Sequence, residues 1–127
     1  MSALILDAGA LVAVDRDDRA MLARLRVAAE QGFELRTNAM VVAQVWRDRH
    51  GRQAQLAQLL RAVDVRAVDH QDGRDAGVLQ AAAGTADPID ATVVLLAQAG
   101  DRILTSDPDD ISRLAAAAAN GSIVVAC

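Results

Sequence analysis

The chain has 127 residues, a length that suits one domain with its own core, and 53% of the residues are hydrophobic. No apolar run approaches the roughly 18 residues that a membrane span needs, and MSALILD lacks the basic start of a signal peptide. All thirteen basic residues are arginine, so every mechanism that needs a lysine amine is excluded. The net charge of −4 argues against non-specific coating of nucleic acid. The single cysteine, Cys127, excludes a disulfide framework. These features predict a cytoplasmic protein without a membrane segment.

Short apolar runs alternate with longer amphipathic runs along the chain. The first half predicts a strand over 4–6, a helix or turn over 8–14, a helix over 19–31, a strand over 33–36 and a helix capped by Asn38. The second half predicts a helix after Gly51, a strand over 65–68, helices over 72–83 and 88–99, a strand over 103–105, a helix over 108–119 and a strand over 123–126. Strands that alternate with helices form right-handed βαβ units. We therefore predict an α/β fold with three layers, α/β/α, around a mostly parallel central sheet of about five strands.

Acidic side chains from three separate segments are expected at one edge of this sheet. Asp7 directly follows the first predicted strand, and Asp107 follows the fourth after a single serine. The predicted helix over 88–99 is joined to the next strand by only three residues, so it runs antiparallel to that strand and begins at the same edge. Asp87 and Asp90 lie at its start. Because ligands of open α/β sheets bind outside the carboxyl ends of the strands, these acids mark a candidate site.

Helix capping is an alternative explanation for most of these acids. Asp87 and Asp107 each precede a proline, which is the arrangement of an N-cap followed by proline at the first helical position. Asp90, Asp109 and Asp110 fall in first turns, where a carboxylate suits the helix dipole. Capping and ligand binding are compatible, because both helix starts lie at the edge where ligands bind.

A cluster of carboxylates at one edge indicates a metal site. Such groups repel one another, and some take up protons unless a cation neutralises them. Asp7 favours this interpretation, because no helix cap requires an acid directly after a buried apolar run. The alternative at this position is that Asp7 caps the segment that follows it. Oxygen ligands without cysteine suit a hard divalent ion, Mg²⁺ or Mn²⁺. The chemistry that such a site favours is attack of metal-activated water on a phosphodiester.

Three segments, LDAGAL, DPIDATVVLLA and ILTSDPDDISRLA, together resemble the PIN-domain ribonucleases, and in particular the VapC-type toxins of toxin–antitoxin pairs. The resemblance extends over nearly the whole chain and implies a single PIN-like domain over residues 1–127. It implies that Asp7, Asp90 and Asp107 are catalytic and bind the metal, and that Thr105 lies near them. The implied activity is that of an Mg²⁺- or Mn²⁺-dependent endoribonuclease, usually a homodimer. A cognate VapB-like antitoxin would inhibit it by wrapping across the active-site groove.

One position departs from the family pattern. Family members usually carry a glutamate on the helix after the second strand, and the matching residue in VVAQVWR is Gln44. A glutamine carbonyl is a neutral, weaker ligand, so metal affinity is expected to be lower unless Asp110 or Asp87 supplies the missing oxygen. The alternative is a weakened or inactive PIN-like module that binds a partner protein or RNA without cutting it.

The segment WRDRHGR places Arg47 and Arg49 near a helix end, where they are candidates for binding RNA phosphates. The competing interpretation is that they are cations at a helix C-terminus. With one phenylalanine, one tryptophan and no tyrosine, base stacking contributes little, so RNA recognition must rely on shape and polar contacts.

Other phosphate chemistries fit the sequence less well. Receiver domains and aspartyl-nucleophile phosphatases also have acids in a doubly wound sheet, but both rely on a lysine, which this chain lacks. The chain contains neither a P-loop motif nor a GxGxxG motif, which argues against the P-loop and dinucleotide-binding classes of protein.

Overall fold

The computed structural model describes residues 2–48 and 50–127 and contains a sheet of five parallel strands in the order β3-β2-β1-β4-β5. The strands are β1 (Ala3–Leu6), β2 (Glu34–Asn38), β3 (Asp64–Arg66), β4 (Arg102–Thr105) and β5 (Ile123–Ala126). The helices are α1 (Ala8–Asp15), α2 (Arg19–Glu30), α3 (Ala39–Val45), α4 (Ala54–Arg61), α5 (His70–Ala83), α6 (Pro88–Val94) and α7 (Pro108–Ala118). In the described part of the chain, no helix is long and apolar enough to cross a membrane.

The strand order reverses direction at the centre of the sheet. From β1 the chain moves outward through β2 to β3, and it then returns to the other side of β1 for β4 and β5. The two halves meet where β1 pairs with β4, with Leu6 opposite Leu104. Such a switch point opens a crevice at the carboxyl ends of the strands. Asp7 and Asp107, which follow these two strands, therefore lie beside that crevice.

Apolar side chains on the two central strands form the middle of the core. Ile5, Leu6, Ile103 and Leu104 are fully buried, as expected for parallel strands that are covered by helices on both faces. Helices α2, α3 and α4 pack against α1, whereas α5, α6 and α7 pack against one another. The two groups of helices and the sheet between them confirm the predicted α/β/α class with a parallel sheet of five strands.

The helix predicted over 88–99 is wrong at its C-terminal end, because α6 stops at Val94. The amides of Leu96 and Ala97 bond to carbonyls three residues back, which tightens the chain into a turn. The Asn120 side chain donates to the carbonyls of Val94 and Ala97 at 3.1 and 3.3 Å, and Asp101 accepts from an amide of the same turn. These hydrogen bonds satisfy backbone groups at the end of α6, so a longer helix would gain few further hydrogen bonds.

Two predicted boundaries near β3 differ from the structure by two residues. The strand predicted over 65–68 lies at Asp64–Arg66, and the helix predicted over 72–83 begins at His70. The cause at the helix is a reciprocal capping box. The Asp69 carboxylate accepts from the Asp72 amide at 2.9 Å, and the Asp72 carboxylate accepts from the Asp69 amide at 3.0 Å. Both groups are satisfied only if the helix starts directly after Asp69.

Candidate metal centre

Asp7 occupies the junction of β1 and α1, where it is buried with 5% of its surface exposed. Its amide donates to the Leu104 carbonyl at 3.1 Å, which continues the pairing of β1 with β4. One carboxylate oxygen accepts from the Ala8 amide at 2.8 Å, and the other accepts from the Thr105 hydroxyl at 2.8 Å. Asp7 is therefore held in one orientation by the start of its own helix and by the neighbouring strand.

Thr105, the last residue of β4, joins Asp7 to the turn that carries Asp107. Its side chain is fully buried, and its hydroxyl donates to Asp7 while accepting from the Asp107 amide at 3.0 Å. One hydroxyl thus links the ends of two neighbouring strands. The structure places Thr105 beside the acids, where the family resemblance located a small hydroxyl residue.

Three carboxylates form the tightest acidic group among the described residues. One oxygen each from Asp90, Asp107 and Asp110 lie within 4.8 Å of one another. Asp90 is 7% exposed in the first turn of α6, whereas Asp107 and Asp110 lie at the start of α7. Asp7 lies outside this group. The structure therefore brings an oxygen of Asp110, a candidate for the missing oxygen, within 4.8 Å of both Asp90 and Asp107.

The surroundings of Asp90 raise the pKa of its carboxyl group. Burial is the main cause of a rise in its pKa to about 7, because the ionised form loses solvation. Repulsion from other carboxylates adds to this rise, and those carboxylates belong, in decreasing order of effect, to Asp7, Asp87, Asp107 and Asp110. The other four predicted acids therefore all act on the charge of Asp90, and a cation among them would lower this repulsion.

The two Asp-Pro helix starts differ in how they use the aspartate. The Asp87 carboxylate accepts from the Ile89 and Asp90 amides at 2.9 and 3.5 Å, which confirms the capping interpretation at that position. Asp107 makes no side-chain capping hydrogen bond, so the same interpretation is wrong for its carboxylate. Asp87 consequently orients the turn that carries Asp90, whereas the carboxylate of Asp107 is left to the acidic group.

A buried polar pair that the sequence did not predict holds α6 beside β2. The Asn38 side chain donates to the Thr92 hydroxyl at 3.0 Å, and this hydroxyl donates to the Ile89 carbonyl at 2.6 Å. The side-chain oxygen of Asn38 also accepts from the Met40 and Val41 amides, each at 3.0 Å, which is the predicted capping role of Asn38. The only signal for the pair in the sequence was the position of Thr92, two residues after Asp90.

Gln44 lies on α3 and is half-buried. Its side-chain oxygen is buried and accepts no hydrogen bond from the described residues. A buried oxygen without a donor is costly, and a cation or a donor group would satisfy it. Gln44 lines a cavity of about 310 Å³ together with Asp15, Arg16 and Arg52.

Of the two arginines predicted to bind RNA, the structure describes Arg47. Arg47 donates to three backbone carbonyls at the end of α3, those of Ala43, Gln44 and Trp46. Arg49 lies outside the described residues. Arg113, which the sequence did not suggest, lies on α7 with its guanidinium 3.8 Å from Asp110. Arg113 therefore brings a positive charge to the edge of the acidic group.

The acidic group fits a hard divalent ion. Its donors are carboxylate oxygens, the ligands that Mg²⁺ and Mn²⁺ prefer in proteins. Three of them are already close together, and burial, with repulsion from neighbouring carboxylates, raises the pKa of Asp90. Asp90, Asp107 and Asp110 would hold such an ion, with Asp7 adding negative charge beside them.

The sequence matches no protein-family model and no curated protein sequence. In three dimensions, the chain is similar to a chain of the crystal structure of VapBC2 from Rickettsia felis bound to a DNA fragment from their promoter. The TM-score is 0.71, the sequence identity is 13%, and the likeness covers 100% of this chain and 99% of that chain. At this identity the likeness concerns the fold, and it agrees with the predicted α/β/α architecture.

Proposed function

We propose that the chain is a metal-dependent endoribonuclease that hydrolyses RNA phosphodiester bonds in the cytoplasm as the toxin of a toxin–antitoxin pair. The observation that carries the proposal is the convergence of Asp90, Asp107 and Asp110 at the switch point of the sheet. The PIN-like sequence segments and the likeness of the fold to a VapBC2 structure support the same assignment.

Each acid has a distinct part in this function. Asp90, Asp107 and Asp110 hold Mg²⁺ or Mn²⁺, while Asp7 and Asp87 supply further negative charge. When bound, the ion acts as a Lewis acid that lowers the pKa of water and neutralises charge on the phosphate. Asp90 has to release its proton for this role, and its raised pKa places that release near neutral pH. Thr105 keeps Asp7 and the Asp107 turn at one separation through its two hydrogen bonds.

Substrate contacts have to come from arginine rather than from aromatic side chains. Phe33 is stacked under the Arg102 guanidinium at 5.0 Å, so its ring is already engaged. Arg113 lies close enough to the acids to contact a phosphate beside the scissile bond. Arg47 is engaged by the carbonyls of α3, so its proposed RNA contact requires that it leave them.

The proposed partners follow from the same assignment. The similar structure is a VapBC2 complex with DNA, which supports a VapB-like antitoxin as the partner of this chain. We propose that the antitoxin covers the acidic crevice and that the chain acts as a homodimer. RNA is the substrate.

A second candidate function is a PIN-like module that binds protein or RNA without cutting. Gln44 favours it, because glutamine stands where the family usually has glutamate and its side-chain oxygen has no hydrogen-bond donor among the described residues. In this case Gln44→Glu would raise the cleavage rate strongly, since it would restore the missing charge. A cleavage rate that changes little would favour a site completed by Asp110.

The decisive experiment measures cleavage of a structured RNA by protein purified free of any partner. We expect cleavage with Mg²⁺ or Mn²⁺, and loss of cleavage with EDTA or in Asp90→Asn. Asp109→Asn is the matched control, because Asp109 is exposed at the start of α7 and is not in the acidic group. If the wild-type protein cuts no structured RNA with either ion, the enzyme assignment is wrong.

A further inference from the structure

Gly9, the second residue of α1, packs directly against Ser106 in the turn between β4 and α7. A Cβ atom at position 9 would lie 2.6 Å from the Ser106 Oγ, 2.7 Å from its Cβ and 3.2 Å from its backbone nitrogen. Rotation of the serine side chain moves only the Oγ. An alanine at position 9 therefore has to push apart the backbones of the two segments.

Backbone conformation does not explain the glycine at this position. Gly9 is not among the glycines with positive φ, and it lies inside a helix, where glycine is less favourable than alanine. Close approach to Ser106 is the property that only glycine provides here. Gly73 in α5 is a useful contrast, because a Cβ atom there would meet nothing within 4 Å.

The two segments in contact are the ones that carry Asp7 and Asp107. Asp7 immediately precedes α1, and Ser106 immediately precedes Asp107. The Thr105 hydroxyl and the Asp7 amide already bond across the same gap, at 2.8 and 3.1 Å. Any widening at Gly9 therefore stretches these bonds and moves Asp7 away from the acidic group.

We propose that Gly9 and Ser106 are positioning residues, whose contact sets the distance between Asp7 and the group of Asp90, Asp107 and Asp110. A side chain at position 9 opens this distance and weakens the binding of a divalent cation. The inference rests on the proposed metal-dependent function.

The test is calorimetric titration of Mn²⁺ into the purified full chain. Gly9→Ala should raise the dissociation constant about tenfold to a hundredfold, the usual effect of disturbing groups that orient metal ligands. The double variant Gly9→Ala with Ser106→Gly should have a dissociation constant close to that of Ser106→Gly alone, because the Oγ and Cβ atoms that clash with position 9 have been removed. The double variant Gly9→Ala with Ser106→Ala should still bind Mn²⁺ weakly, because the Cβ atom of residue 106, at 2.7 Å, remains.

Thermal unfolding of the metal-free variants separates positioning from general damage. Gly73→Ala, the matched control, should leave both the Mn²⁺ affinity and the unfolding temperature unchanged or higher. If Gly9→Ala does not fold, Ser106→Gly should restore both folding and Mn²⁺ binding, and a failure to restore them overturns the inference. Equal Mn²⁺ affinity of Gly9→Ala and wild type also overturns it. Wild-type protein that binds no Mn²⁺ contradicts the proposed metal site itself, and the inference with it.

Discussion

Asp90 combines burial, a helix start and four acidic neighbours in one side chain. The residue is 7% exposed, and its amide donates to the Asp87 carboxylate, so the side chain is held where ionisation is unfavourable. A carboxylate with such a raised pKa in a crevice is typical of functional sites. Replacing this carboxylate would stabilise the protein, so its presence points to a function. Ionised Asp90 thus lowers the stability of the metal-free chain, and a bound cation would offset part of this cost.

Asp90 should make the metal-free protein less stable as the pH rises from about 4 to about 7, between its unfolded and folded pKa values. Its pKa is about 7 in the folded state and 3.8 in the reference state, so the folded chain holds the proton that the unfolded chain releases. The full penalty, on the order of 4 kcal/mol from 1.36 kcal/mol per pKa unit, applies above the folded pKa and vanishes below pH 4. Urea unfolding at several pH values in EDTA measures it. Asp90→Asn should flatten this dependence and Asp109→Asn should not, whereas a flat wild-type profile would rule out the raised pKa.

Local patterns predicted where the helices of the site begin better than where they end. Asp87-Pro88 and Asp107-Pro108 mark the starts of α6 and α7, because proline and an acid favour the first turn whatever lies elsewhere. The end of α6 depends instead on Asn120, which is 26 residues beyond the carbonyl of Val94. No local pattern contains such a partner. The contact of Gly9 with Ser106 was missed for the same reason.

On α7, Arg113→Gln should weaken RNA binding with little loss of stability. The ion pair with Asp110 is 3.8 Å long and the arginine side chain is 63% exposed, so it contributes at most about 0.5 kcal/mol. A charged hydrogen bond to phosphate contributes about 1.5 kcal/mol or more, which corresponds to a KM about tenfold higher with kcat nearly unchanged.

Steady-state cleavage kinetics and thermal unfolding of Arg113→Gln give both quantities. Arg74→Gln, which removes an exposed arginine on α5, is the control for the change in net charge. An equal rise of KM in both variants would mean that Arg113 acts only through long-range charge and makes no contact with the phosphate.

At the scale of the whole molecule, topology explains why the acids could be predicted to meet. Parallel strands bring their carboxyl ends to one edge, so Asp7 and Asp107 were expected to be neighbours from the order of elements alone. Asp110 joins the group because residues three apart share a helix face. The exact grouping was not predictable, since it depends on contacts between side chains distant in sequence, such as the hydrogen bond from Thr105 to Asp7.

The charge of the whole chain limits how strongly salt affects RNA binding. With a net charge of −4 and few aromatic residues, the protein is expected to bind RNA through a few local arginines. About two or three phosphate contacts give a slope of log affinity against log salt of about −1.5 to −2 for single-stranded RNA. Fluorescence anisotropy of a labelled RNA with Asp90→Asn, which is expected not to cut it, measures this slope. Adding Arg113→Gln should make the slope shallower by about 0.7, the value of one phosphate contact. A slope steeper than about −4 would instead indicate an extended basic surface and contradict recognition by a local patch.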